Sequence, residues 1–261
     1  MNASFGKSAF LAAWIALACA FAAHAAPWTQ DELAQLDAAL ERIASYQLGE
    51  QSEGFNLILK AVNDSYGDTA WRERLNKRFV QLLANPQASF ECKKFICRQL
   101  FVIGDESSVP ALGKLINDDR LGHMARYALQ RMPFESAGAA LRQALGDSKG
   151  LNRVGIIDVL GARRDSNAVE AIAPMVCDGD ARIARAAISA LGKIGGVEAA
   201  TLLAAARPLL EASLLAPAAD SLLACAEGLA RQDARERMIA LAIYAQLFDS
   251  AEPAHIRGAA L

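Results

Sequence analysis

The chain has 261 residues, with 27 lysines and arginines against 29 acidic residues and a formal net charge of −2, so it lacks the positive field on which nucleic-acid binding depends. Three histidines and five cysteines, with no CxxC or CxxCH among them, leave a zinc site, a thioredoxin-type redox pair and a c-type haem attachment without ligands. The alanine- and leucine-rich composition and the absence of alternating apolar and polar stretches favour helix throughout.

Residues 1–25 read as a signal peptide. Lys7 is the only charge before an apolar run from Ala9 to Ala23, and Ala23-His24-Ala25 supplies small residues at both specificity positions of a signal peptidase, so cleavage is expected after Ala25. The run is too short to span a membrane confidently, and nothing later looks apolar for long enough, so no integral span is expected after cleavage. An alternative, lipid attachment at Cys19, meets a poorly placed Leu17. Export makes the expected location periplasmic or secreted. Loss of Lys7 then takes the net charge from −2 to −3.

Residues 26–85 read as an N-terminal helical capping region. Thr29 and Glu32 form a capping box and Trp28 with Leu33 a hydrophobic staple, starting a helix whose face is Leu33, Leu36, Leu40, Ile43 and Ala44. A second helix is predicted over about Glu53 to Val62, ending in the Asn63-Asp64-Ser65-Tyr66-Gly67 turn. A third runs from Asp68 to about Ala84 with the bulky stripe Trp71, Leu75, Phe79 and Leu82, as suits the end of a stack.

From Pro86 to Leu261 the sequence repeats. One row of leucines falls at Leu100, Leu129, Leu160 and Leu191, at intervals of 29, 31 and 31 residues, and each member is expected to be buried. A second row falls at Leu112, Leu141, Ile172 and Leu202, at intervals of 29, 31 and 30. Each unit thus holds two short helices, with acidic turns between units at Asp118-Asp119, Gly146-Asp147 and Asp178-Gly179-Asp180 that can cap the next helix. The clearest helix, Asp180 to Gly195, carries Ile183, Ala187, Ala190, Leu191 and Ile194 as a narrow stripe suited to close contact with helices of its own kind. Cys92 superposes on Ile183 and Cys97 on Ile188, both apolar slots. Five residues apart on one helix they point roughly 140° apart, so they cannot pair and read as small buried hydrophobes.

The segment DARIARAAISALGKIGGVEAATLL, from Asp180 to Leu203, resembles the HEAT repeat in its short, alanine-rich, phycobilisome-lyase-like form; DDRLGHMARYALQRM and GLNRVGIIDVLGARRDSNAVEAI look like looser copies. The resemblance implies an all-α fold, an α-solenoid of stacked antiparallel helix pairs. In it the first helices line a convex side and the second helices a concave side. It implies no cofactor. Bilin chemistry would require a cytoplasmic protein, and the HEAT-type di-iron hydroxylases need repeated His-Glu pairs, whereas His123 and His255 lie 132 residues apart and neither precedes glutamate. His123 superposes on Arg185 and reads as a solvated side chain.

The residues left for function lie on surfaces. On the second-helix side Gly113, Arg142 and Ala173 form one row and Lys114, Gln143 and Pro174 the next, compatible with a partner's segment or with bare solvent. Arg163 stands where Ile103, Met132 and Ile194 stand in other units. It is expected either to reach out and pair with a carboxylate or, with Arg164, to form an anion-binding turn. The candidate binding set is therefore Lys114, Arg142, Gln143, Arg163 and Arg164, with no catalytic or metal residues. The expected role is a non-catalytic protein-interaction scaffold, whose partner is another protein or a further domain of the same chain. The alternative is the N-terminal solenoid portion of a larger exported enzyme or redox protein. Residues 253–261 superpose on the opening of one more first helix, Arg257 on Arg185 and Ala259 on Ala187, as if the last repeat were cut. Leu222, Leu223, Met238, Leu241 and Tyr244 are expected to face inward in the preceding pair.

Overall fold

In the computed structural model residues 28–50, 53–249 and 254–261 are described; the leader, its Ala23-His24-Ala25 cleavage site and Cys19 lie outside the described residues. Among the described residues there are fourteen α-helices and no strand. Helix α1, Gln30–Ala44, starts on the expected capping box, with the Thr29 hydroxyl accepting from the Glu32 N–H and the Glu32 carboxylate accepting from the Thr29 N–H. Helices α2, Glu53–Asp64, and α3, Thr69–Ala84, follow, α3 capped by the Asp68 carboxylate. Trp28 lies against Trp71, ring centroids 5.2 Å apart, and its Nε1–H donates to Asp64 while the Lys60 ammonium sits 4.4 Å above its ring. The buried stripe of α3 is Leu75, Asn76, Phe79 and Leu83; Leu82, expected inside, is half-buried because the core-facing line runs one residue later.

The regular pairs follow: α4, Phe90–Ile103, with α5, Val109–Gly113; α6, Gly122–Arg131, with α7, Glu135–Asp147; α8, Gly150–Arg163, with α9, Val169–Ile172; α10, Ala181–Ile194, with α11, Gly196–Ala206; and α12, Ala212–Leu229, with α13, Ala234–Asp249. Helix α14, Ala254–Ala259, comes last and buries Ile256. Each first helix from α4 to α12 packs on the first helices of the neighbouring units. The leucine row lies at the centre of these contacts, Leu100, Leu129, Leu160 and Leu191 all being 0% exposed.

In the second row Leu112, Leu141 and Ile172 are buried, but the fourth member is Leu203 rather than Leu202, which is half-buried. Of the second helices, α5 and α9 each follow a three-residue 3-10 turn, Glu106–Ser108 and Ser166–Ala168, whereas α7 and α11 start as α-helix directly at Glu135 and Gly196. The inward residue of the second helix nonetheless falls twelve places after the row leucine in all four units, so Leu202 is one residue short of that spacing. With Leu203 in place the second row has the same intervals as the first, 29, 31 and 31.

The residue after each row leucine is Phe101, Gln130, Gly161 and then Gly192. At Phe101 the ring stacks on Tyr127 with centroids 4.0 Å apart. At Gly161 a Cβ would stand 2.8 Å from Ala190 Cα, and at Gly192 one would stand 2.7 Å from Ser221 Cβ, so α8, α10 and α12 meet at near-backbone distance. Cys92, Cys97 and Cys225 are buried, and burial pushes their thiols up to about 11, about 12 and about 11, which keeps them protonated and inert. Cys177 is exposed.

Two expectations are corrected. Met238 and Leu241 are exposed and Tyr244 half-buried, because α13 turns Ala240, Ile243 and Leu247 toward the core; Leu222 and Leu223 are buried as expected. Helix α12 is, by length and composition, long and apolar enough to cross a membrane, contrary to the reading that nothing beyond the leader is. Its Leu214, Ala218, Leu222 and Cys225 are buried, and α10, α11 and α13 pack on it, as befits an interior helix of the stack.

Candidate interaction face

The five candidate binding residues separate into four situations. Arg142, on α7, donates through Nη1 to Asp165 at 2.5 Å and through Nη2 to Glu135. The Asp165 side chain is only 7% exposed and also caps the turn before α9 by accepting from the Asn167 N–H. Burial pulls the Arg142 guanidinium down, but the bonds to Glu135 and Asp165 outweigh it and hold its proton more firmly than usual. Arg142 is thus a tie between adjoining units, with its fork already occupied. Asn76 does the same job earlier in the chain, its Nδ2 donating to Asp105 at 2.6 Å and to Ser107 at 2.8 Å.

Among the described residues Arg163 has no carboxylate within ion-pair distance, and its guanidinium is turned to backbone carbonyls instead. Its Nη1 donates to the carbonyls of Leu129 at 2.6 Å and Met132 at 2.5 Å, and its Nη2 to that of Phe134 at 3.0 Å. These lie at the C-terminus of α6 and in the turn beyond it, where helix-end carbonyls have acceptor capacity to spare; Leu129 O also accepts from the Met132 N–H and Phe134 O from the Ala137 N–H. Burial lowers the Arg163 pKa, against the opposing pull of the Asp165 and Glu135 carboxylates. The apolar slot tolerates an arginine because the previous unit's helix end needs a cationic cap. Arg164 takes the left-handed conformation, φ 53° and ψ 44°, and closes α8: its N–H reaches Gly161 O and the Asp165 N–H reaches Leu160 O. Its side chain is exposed and borders a groove of about 670 Å³ also lined by Lys193, Asp220, Glu227 and Arg231, away from Lys114 and Gln143.

Lys114 and Gln143 are brought together. Both are exposed, and both line a groove of about 700 Å³ between α5 and α7 whose walls include Val109, Pro110, Ala139 and Ala140 and whose rim carries Glu106 and Asp147. The Ser136 hydroxyl donates to Glu106 across this groove at 2.8 Å. A similar groove of about 710 Å³ lies further along, between α11 and the 3-10 segment after α9; it holds Ala173, Pro174, Leu202, Ala205 and Leu209 with Glu170 and Glu198. A third, of about 610 Å³, lies between α11 and α13 with Met238, Ile239 and Ala242 on one wall. Grooves therefore recur where successive second helices meet, because small residues, alanine and proline above all, leave space between them.

Glu170, Glu198 and Leu209 were not singled out from the sequence, although one signal points to Leu209. Six residues past the second row, Asp118, Asp147 and Asp178 occupy the turn in three successive units, and Leu209 breaks the series in the fourth. The misplacement of the row at Leu202 hid that break. Among the described residues no group of three His, Cys, Asp or Glu is placed to hold a metal.

Residues 138–230 match the family model for HEAT repeats. No curated protein matches the chain. An engineered protein solved by a structural genomics consortium is similar at 16% identity and a TM-score of 0.46; the likeness covers 86% of this chain and 66% of the engineered one, just under two-thirds of its length.

Proposed function

We propose that this chain, whose residues 138–230 are HEAT repeats, is a non-catalytic scaffold that holds another protein, or a further domain of its own chain, on its second-helix face after export from the cytoplasm. The observation that carries this reading is the recurrence of open, small-residue grooves along that one face, with Lys114 and Gln143 exposed in the first of them. A solenoid presents an extended surface rather than an enclosed pocket, which suits recognition of a chain segment more than chemistry. The near-neutral charge supports a protein partner over nucleic acid.

A photo-crosslinking residue placed at Gln143 or Thr201 in cells should capture a discrete partner, while one placed at His123 on the first-helix face should not. Crosslinks confined to the His123 position, or absent from all three, would overturn the assignment. Export is supported by Lys7, the run from Ala9 to Ala23 and the Ala23-His24-Ala25 site. Mass spectrometry of protein from native cells is expected to find an N-terminus at Ala26. An intact Met1 would exclude export, and a lipid on Cys19 would make the protein membrane-anchored.

A further inference from the structure

From the groove between α11 and the segment after α9, and resting on the scaffold reading above, we infer that the partner presents a cationic, leucine-type amphipathic segment there. The floor and walls are Ala173, Pro174, Leu202, Ala205 and Ala206, a surface that takes an aliphatic side chain without an unpaired polar group. Leu209 stands at the lip, 76% exposed, in the position that holds Asp118, Asp147 and Asp178 in the other units. A solvated leucine at that turn gains nothing in the free protein, and on docking it supplies apolar area at the edge of the groove. Glu170 and Glu198 are exposed and line the same groove, and among the described residues no lysine or arginine lines it. Two carboxylates without a facing cation set the complementary charge of the occupant: lysine or arginine beside the aliphatic anchor. The groove between α5 and α7 has a similar bias, with Glu106 and Asp147 against Lys114, whereas the one between α11 and α13 carries Arg235 and, among the described residues, no carboxylate, so the charge selects among the grooves of this face.

The probe is a fluorescein-labelled synthetic peptide of leucine and lysine in amphipathic helical register, measured by anisotropy on the full chain against a leucine–glutamate peptide of equal length. The leucine–lysine peptide should bind and the leucine–glutamate peptide should not. Glu170→Gln with Glu198→Gln, and separately Leu209→Asp, should each weaken binding about tenfold, a change of about 1.4 kcal/mol. A control pair, Glu41→Gln with Glu73→Gln, removes the same charge on α1 and α3 and should leave affinity unchanged. All the altered side chains are exposed, so circular dichroism should be the same for every variant. Equal loss in the control pair, or no loss in the groove variants, would overturn the inference. If the leucine–glutamate peptide binds and Leu209→Asp abolishes it, the charge assignment fails while the groove remains a docking site. Absence of crosslinks from Gln143 and Thr201 is the separate result that removes the scaffold reading itself.

Discussion

Leu160→Ala is expected to lower stability by about 2 to 5 kcal/mol, measured as a shift of the urea midpoint followed by circular dichroism. Leu160 is 0% exposed and lies on α8, between α6 and α10. Its replacement leaves a cavity facing both neighbouring units. Gly161 beside it already brings α8 against Ala190 at near-backbone distance, so α10 cannot move inward to fill the space. In a stack where each unit contacts only its neighbours, the loss at one interface weakens the units on either side. A second, local signature is therefore expected: amide exchange should accelerate in α6 and α10 more than in α1. A midpoint unchanged from the native chain would mean that the leucine row is not the axis of the core.

The second large effect is expected at Arg163. Arg163→Met restores the apolar residue type that Ile103, Met132 and Ile194 supply in other units, and on hydrophobicity alone it should stabilise the protein. The expected result is the reverse, a loss of about 1 to 3 kcal/mol, because the Met132 carbonyl loses the arginine in a partly buried turn and those of Leu129 and Phe134 are left with one backbone donor each. Arg163→Lys should fall between the two, since an ammonium cannot span the same set of acceptors as a planar guanidinium. Urea titration of the three proteins gives the order directly. If the methionine variant is as stable as the native chain, the carbonyls are served by water and the cap is dispensable.

Much of the architecture was legible before any coordinates because it rests on local chemistry. The Thr29–Glu32 capping box, the Asp180 cap and the inward leucines depend on residues within a turn or two of each other, where side-chain type and spacing decide the outcome. The repeat added long-range order by recurrence, so one correctly placed unit located the rest. It failed at Leu202, where two adjacent leucines offer the same local likeness and the inward one, Leu203, is marked only by its constant spacing of twelve from the first-row leucine. The same slip concealed Leu209 as the exception in a row of aspartates, and with it the groove that carries the binding assignment.

The fate of the arginines belonged to tertiary structure alone. Arg163 reaches carbonyls about thirty residues earlier in the chain, and Arg142 reaches an aspartate 23 residues later, so no spacing rule within either helix connects them. Sequence determined that Arg163 occupies an apolar slot and that Arg142 and Lys114 share the second-helix side. It did not determine that the first two would be consumed in ties between units while Lys114 stayed in solvent. The physical reason is that caps and helix periodicity act over a few residues of backbone, whereas a long cationic side chain responds to whichever unsatisfied oxygen the neighbouring unit brings within its reach.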